Sequence, residues 1–155
     1  MANLSELPPD LCAPLSPTVG LLLESRIPAR LAWVAADQTP RVVPIWFWWD
    51  QEHLTMSTFA GATKLRDILD GTVVAVTIDT DTFPYRSLKL RGPVTRRSVS
   101  GIAEEYEHAA ERYLGADMAS QWLEFLGDPD QVVLSLRPTW ARVSDMAADS
   151  PFFES

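Results

Sequence analysis

A chain of 155 residues, 46% hydrophobic and 22% charged, amounts to one domain's worth of sequence with enough apolar surface to build a core without disulfides or a structural metal. Its 21 acidic against 13 basic residues leave a net charge of −8, which disfavours nucleic acid and anionic membranes as partners, and Arg96-Arg97 is the one adjacent basic pair. No apolar run approaches the ~20 residues of a membrane helix, no secretory signal opens the chain, and the lone Cys12 fits a reducing compartment, so the expected location is the cytoplasm.

A single domain over 1–155 is expected, with residues 1–15 as an extended, proline-rich arm. Ser16-Pro17 has the pattern of an N-cap followed by proline at the first helical position, and Val19, Leu22 and Leu23 give that helix an apolar face ending at Ile27-Pro28. LAWVAA (31–36) predicts a strand, and Asp37 to Pro40 a turn. RVVPIWFWW (41–49) predicts one strand apolar on both faces, each of which needs cover. In HLTMSTF (53–59), Leu54 and Met56 alternate with polar residues, the pattern of a half-buried antiparallel strand.

Between Gly61 and Asp70 the period becomes helical, with Leu65, Ile68 and Leu69 on one face and Gly71 at the C-terminus. TVVAVTID (72–79) and RSLKLRGPVTRR (86–97) predict strands, with a bulge or edge position at Gly92-Pro93. Ile102, Tyr106, Ala109, Ala110 and Tyr113 mark a helix broken at Gly115. Asp117 can cap a second helix that buries Met118, Trp122 and Phe125. QVVLSLRP and TWARVSDM predict two last strands, and SPFFES a tail. Short strands joined by tight turns indicate a mainly β, α+β protein: an antiparallel barrel or sandwich with helices outside it.

His53 and His108 lack partners at zinc-ligand spacing, so no metal site is expected. No G-x-S-x-G elbow, Walker loop or dinucleotide fingerprint is present, and no side chain presents itself as a catalyst. Such a chain borrows its chemistry from a cofactor if it is an enzyme. Two segments invite one. STFAGATKLRDIL leads from a strand end into a helix start, where Ser57, Thr58, Thr63 and Lys64 can cradle a phosphate; the alternative is a capped helix with a solvated lysine. RVVPIWFWWD carries Trp46, Phe47, Trp48 and Trp49, whose outer face suits a ring system, a partner subunit or plain core.

These two segments, in this order, resemble those of the pyridoxamine 5'-phosphate oxidase-like split β-barrel superfamily, which includes flavin- and deazaflavin-dependent reductases. The resemblance runs from the first helix to about Arg97 and implies an antiparallel split β-barrel of the FMN-binding type. It implies that Arg41 approaches the cofactor's phosphate or ribityl chain, that Val42, Val43, Pro44, Ile45 and Trp46 line the ring, and that Ser57, Thr58, Thr63 and Lys64 hold the phosphate. Ser87 falls nearest to a contact supplied by the second protomer of a homodimer with cofactor at the interface. The C-terminal pattern of authentic pyridoxamine phosphate oxidases is missing, so that substrate is not expected. The implied activity is hydride transfer between bound FMN and a small planar substrate, Arg41, Thr63 and Lys64 suiting a single terminal phosphate. The alternatives are a reductase using the deazaflavin coenzyme F420 and a flavin-binding module without turnover. Neither histidine is placed to hold haem.

Overall fold

The computed structural model describes residues 17–149, so the proline-rich arm with Cys12, the Ser16 cap and the SPFFES tail lie outside the described residues. Eight strands form the core: β1 Ala29–Val34, β2 Pro40–Ile45, β3 Trp48–Trp49, β4 Leu54–Phe59, β5 Val73–Asp79, β6 Arg86–Val99, β7 Gln131–Leu136 and β8 Trp140–Asp145. Helix α1 (Pro17–Leu23) precedes them, α2 (Glu104–Leu114) and α3 (Ala116–Leu126) follow β6, and the short α4 (Met146–Asp149) follows β8. All ladders are antiparallel, in the order β2-β1-β5-β6-β7-β4-β3, with β8 also on β6. This is the expected antiparallel half-barrel with flanking helices. No helix among the described residues is long and apolar enough to cross a membrane.

The fourteen-residue β6 belongs to both halves of the sheet. Its first part, Arg86–Arg91, pairs with β8, while Val94–Val99 pairs with β7. Residues 131–145 therefore run beside β6 as one chain bent at 137–139. The predicted bulge lies in that corner and not in β6: Gly92 and Pro93 keep unbroken register with β5 but face the three residues 137–139. Arg137 N–H donates to the Pro93 carbonyl at 3.2 Å and Thr139 N–H to that of Arg91 at 2.9 Å. A Cβ on Gly92 would sit 2.1 Å from the Arg137 carbonyl oxygen, so the corner closes only over glycine.

The interior is filled by alternate residues, including Leu31, Leu54, Met56, Val76, Leu88, Leu90, Leu134 and Leu136, all essentially inaccessible. Several expectations change. The 41–49 strand is two strands, because the chain turns at Trp46-Phe47 to pass from one half-sheet to the other. Phe47 enters the core completely. Trp46 stacks on Tyr113 at 5.0 Å and Trp48 on His108 at 4.5 Å, so α2 covers tryptophans that the sequence left for a ligand or partner. Val42, on the outer face of β2, stays 65% exposed.

The polar face of β4 is not solvated either: Thr55 and Ser57 are buried, on the side where α2 packs. The expected 61–70 helix shrinks to one 3-10 turn, Thr63–Arg66. The apolar stripe of α3 is open, with Met118 58% and Phe125 80% exposed, and Asp117 makes no capping bond because Gly115 occupies the N-cap.

Gly92→Ala should lower stability by about 2–3 kcal/mol, the scale of overpacking against a rigid neighbour. Urea unfolding checks this through a lower midpoint at unchanged slope. Gly61→Ala, where nothing lies within 4 Å of the added Cβ, should stay near wild type.

Candidate functional site

Strand alternation divides the residues expected to hold a phosphate. Thr58 pairs with Val132, which belongs to the barrel interior with Leu134 and Leu136. Ser57 pairs with Val133, which belongs to a second apolar cluster with Ala103, Tyr106 and the half-buried Trp46. Thr58 and Ser57 thus point to opposite faces, and Ser57 Oγ is buried without a hydrogen-bond partner. Thr58 is the member of the pair that meets Lys64.

The chain leaves β4 at Phe59 and turns at once. Ala62 N–H donates to the Phe59 carbonyl at 2.9 Å, and the 3-10 turn follows. This geometry carries the Lys64 ammonium back to the strand end, where Nζ donates to Thr58 Oγ1 at 2.9 Å. Burial pulls the Lys64 pKa below the ordinary lysine value. An ammonium has three N–H donors and the Thr58 hydroxyl keeps its own proton to donate, so the pair retains donors for an anionic oxygen. Thr63 is exposed beside it. One turn has little macrodipole, so Lys64 replaces the helix end as the principal attraction for an anion.

Arg41 lies on the hairpin that the Lys64 turn contacts through Asp67. It pairs with Trp33, and that inward-facing indole donates to Asp67, three residues beyond Lys64, at 3.3 Å. The Arg41 guanidinium is held in its own hairpin turn, donating to Thr39 Oγ1 at 2.9 Å and to Asp37 Oδ2 at 3.1 Å. Hydrogen bonds from Thr39, and then the Arg41 charge, keep the Asp37 carboxyl below its usual range. Beyond Arg41, Val43 and Ile45 face the core, while Val42 and Pro44 face outward. As an edge strand, β2 leaves one side of its backbone unpaired among the described strands.

Ser87 is elsewhere. It lies opposite Asp79 and Ser144, on the outer face of the half-sheet. There it lines a groove of about 690 Å³ with Arg30, Ala32, Val42, Thr77 and Lys89. The structure therefore sets Thr58, Thr63 and Lys64 together at the end of β4, ties that turn through Asp67 to the hairpin that carries Arg41, turns Ser57 under α2, and leaves Ser87 with Val42 on the outer surface.

A second cavity of about 440 Å³ lies between α1, β3 and α2, lined by Val19, Leu23, Trp48, Trp49, His108 and Arg112. None of the residues expected to hold a cofactor lines it. Arg112 was not anticipated: its guanidinium lies 4.4 Å over the Phe47 ring and donates to the Phe47 carbonyl. Its position at the end of α2, next to the stripe residue Tyr113, was the available signal. No group of three or more His, Cys, Asp or Glu side chains among the described residues could hold a metal.

Comparison with known proteins follows this geometry. The family model described as Pyridoxamine 5'-phosphate oxidase matches residues 15–145. An F420 reductase of solved structure is 31% identical, with a TM-score of 0.62 over 78% of this chain and 93% of its own. A conserved hypothetical protein from Mycobacterium tuberculosis superposes with a TM-score of 0.64 at 17% identity, over 86% of this chain and 87% of its own. A FAD and heme binding protein from Mycobacterium smegmatis does so at 0.58 and 18%, over 84% of this chain and 71% of its own. The last two show a shared fold. No curated protein matches.

The lowered Lys64 pKa has a measurable sign. The folded state binds this proton less well than the unfolded chain does, so the resulting penalty is fully present below the folded pKa and disappears as pH rises towards 10.5. Urea unfolding of wild type and Lys64→Met at pH 7.5 and 10 should show wild type gaining relative to the variant at the higher pH. A difference independent of pH would mean that the ammonium is not desolvated.

Proposed function

The chain belongs to the pyridoxamine 5'-phosphate oxidase family, and from that premise we propose that it is an oxidoreductase holding a phosphate-bearing flavin-type cofactor between β2 and the Lys64 turn. When bound, that group supplies hydride transfer to or from a small planar substrate. The observation that carries the reading is the Lys64–Thr58 pair: a partly desolvated ammonium with unused donors, on a turn tied through Asp67 to the hairpin that carries Arg41. A cation held this way meets an anion without first shedding a full hydration shell.

The protein's own part is to bind and orient. Lys64, Thr58 and Thr63 would take the phosphate, and Arg41 the phosphate or the ribityl chain. The open edge of β2 from Val42 to Ile45, and Trp46 after it, would offer backbone donors and acceptors along the ring. The 31% likeness to an F420 reductase favours the deazaflavin coenzyme F420 as that cofactor. FMN is the second reading, because a single ammonium beside a single hydroxyl suits one compact terminal phosphate.

Ser87 and Val42 share an outer groove away from Lys64, which supports a homodimer in which Ser87 serves the partner's cofactor. The exposed Val42 and Pro44 give such an interface apolar surface. Oxidation of pyridoxamine phosphate is not proposed, because the C-terminal pattern expected for that substrate is lacking.

Lys64→Ala should weaken the phosphate-bearing cofactor by about ten- to a hundredfold, the loss of one charge-assisted hydrogen bond of roughly 1.5–3 kcal/mol. Riboflavin, which lacks the phosphate, is the control and should bind both proteins alike. Calorimetric titration with F420, FMN and riboflavin checks this, and an equal loss for riboflavin would remove the phosphate from Lys64.

A further inference from the structure

We propose that Asp67 is a positioning residue that sets the separation between the two cofactor-holding segments, the Lys64 turn and the Arg41 end of β2. This rests on the cofactor reading above. Asp67 follows the 3-10 turn, and its N–H donates to the Lys64 carbonyl at 3.2 Å. Its carboxylate reaches the other segment with both oxygens. Oδ2 accepts from Trp33 Nε1 at 3.3 Å and Oδ1 from Ala36 N–H at 3.2 Å.

Both donors are tied to Arg41. Trp33 is its cross-strand partner. Ala36 lies in the hairpin turn closed by Ala35 N–H to the Thr39 carbonyl at 2.9 Å, and Asp37 and Thr39 of that turn hold the Arg41 guanidinium. One carboxylate thus spans the mouth, anchored beside Lys64 and gripping the hairpin that carries Arg41.

The turn cannot fix its own place. It is one 3-10 turn with no side-chain cap, a weakly self-supporting element. From beneath, Arg96 of β6 donates to the Leu65 and Ile68 carbonyls, both at 2.9 Å, and so holds the turn's height above the sheet. Arg96 makes no bond to the hairpin among the contacts described. Leu65 and Ile68 seat the segment on the core, and among the contacts described the hydrogen bonds from it to the hairpin are those of Asp67.

A carboxylate that only stabilised the fold would affect every ligand alike, whereas a positioning one affects the phosphate selectively. The test titrates FMN with riboflavin, and F420 with its phosphate-free deazaflavin core, into wild type, Asp67→Asn, Lys64→Ala and the double variant. Asp67→Asn keeps the shape and an acceptor for Ala36, but one face becomes an amide donor set against the Trp33 N–H. It should weaken the phosphate-bearing ligands by about three- to tenfold and leave the phosphate-free ones within about twofold, and it should add nothing in the Lys64→Ala background.

Equal losses for both kinds of ligand, or a fully additive loss in the double variant, would overturn the proposal. If Lys64→Ala is selective and Asp67→Asn is silent, positioning fails while the cofactor reading stands. If Lys64→Ala is itself silent, both fall together. Trp33→Phe, which removes the indole donor and keeps an aromatic ring in the core, serves should Asp67→Asn not fold, with the same selectivity expected and the same results overturning it.

Discussion

Everything in this fold depends on the contact at Gly92, where the backbone of the 137–139 corner comes within van der Waals reach of β6. Because β6 spans both half-sheets, the angle between them is set where its partner chain bends. A side chain there would push the corner away and open the barrel. The corner fixes β7 against the second half of β6, β7 fixes β4, and β4 carries Thr58 next to its last residue, Phe59. On the other half-sheet, β5 fixes β1 and β1 fixes β2. The Lys64 turn and the hairpin that carries Arg41 meet through Asp67 because the sheet closes, not because they are near in sequence.

The site keeps polar groups that a stability-driven design would leave out: Lys64 is partly desolvated against Thr58, whose side chain is buried. Such departures are expected where binding, and not folding, sets the residue. The aromatic cluster beside the site is ordinary core by contrast. Trp46, Tyr113, Phe47 and Arg112 stack to bind α2 onto the crossover between the half-sheets.

Much of this was legible in the sequence. The strands and the two long helices follow from periodicity and turn residues, and Thr58 stands at the strand end with Thr63 and Lys64 on the turn after it, as that pattern implies. What was not legible depends on cover. Thr55 and Ser57 alternate like residues of a half-solvated strand, and only the docking of α2 buries them. RVVPIWFWW has no glycine to mark the break at Trp46-Phe47, because the turn there is imposed by two half-sheets and not by local propensity. The stripe Met118, Trp122 and Phe125 has correct helical spacing, yet nothing within the described residues lies over its outer part. Nothing local marks Asp67 or Arg96, since their partners are 31–34 and 28–31 residues away.

The proposed occupant of the Lys64 turn is a phosphate-bearing flavin or deazaflavin. Intact-complex mass spectrometry, paired with the absorption spectrum of the same sample, tests it on protein made in a host that produces FMN, coenzyme F420 and haem. The account predicts one bound F420 or FMN per chain, with the matching deazaflavin or flavin spectrum. A haem Soret band with the corresponding mass, or a bound flavin lacking phosphate, would contradict it.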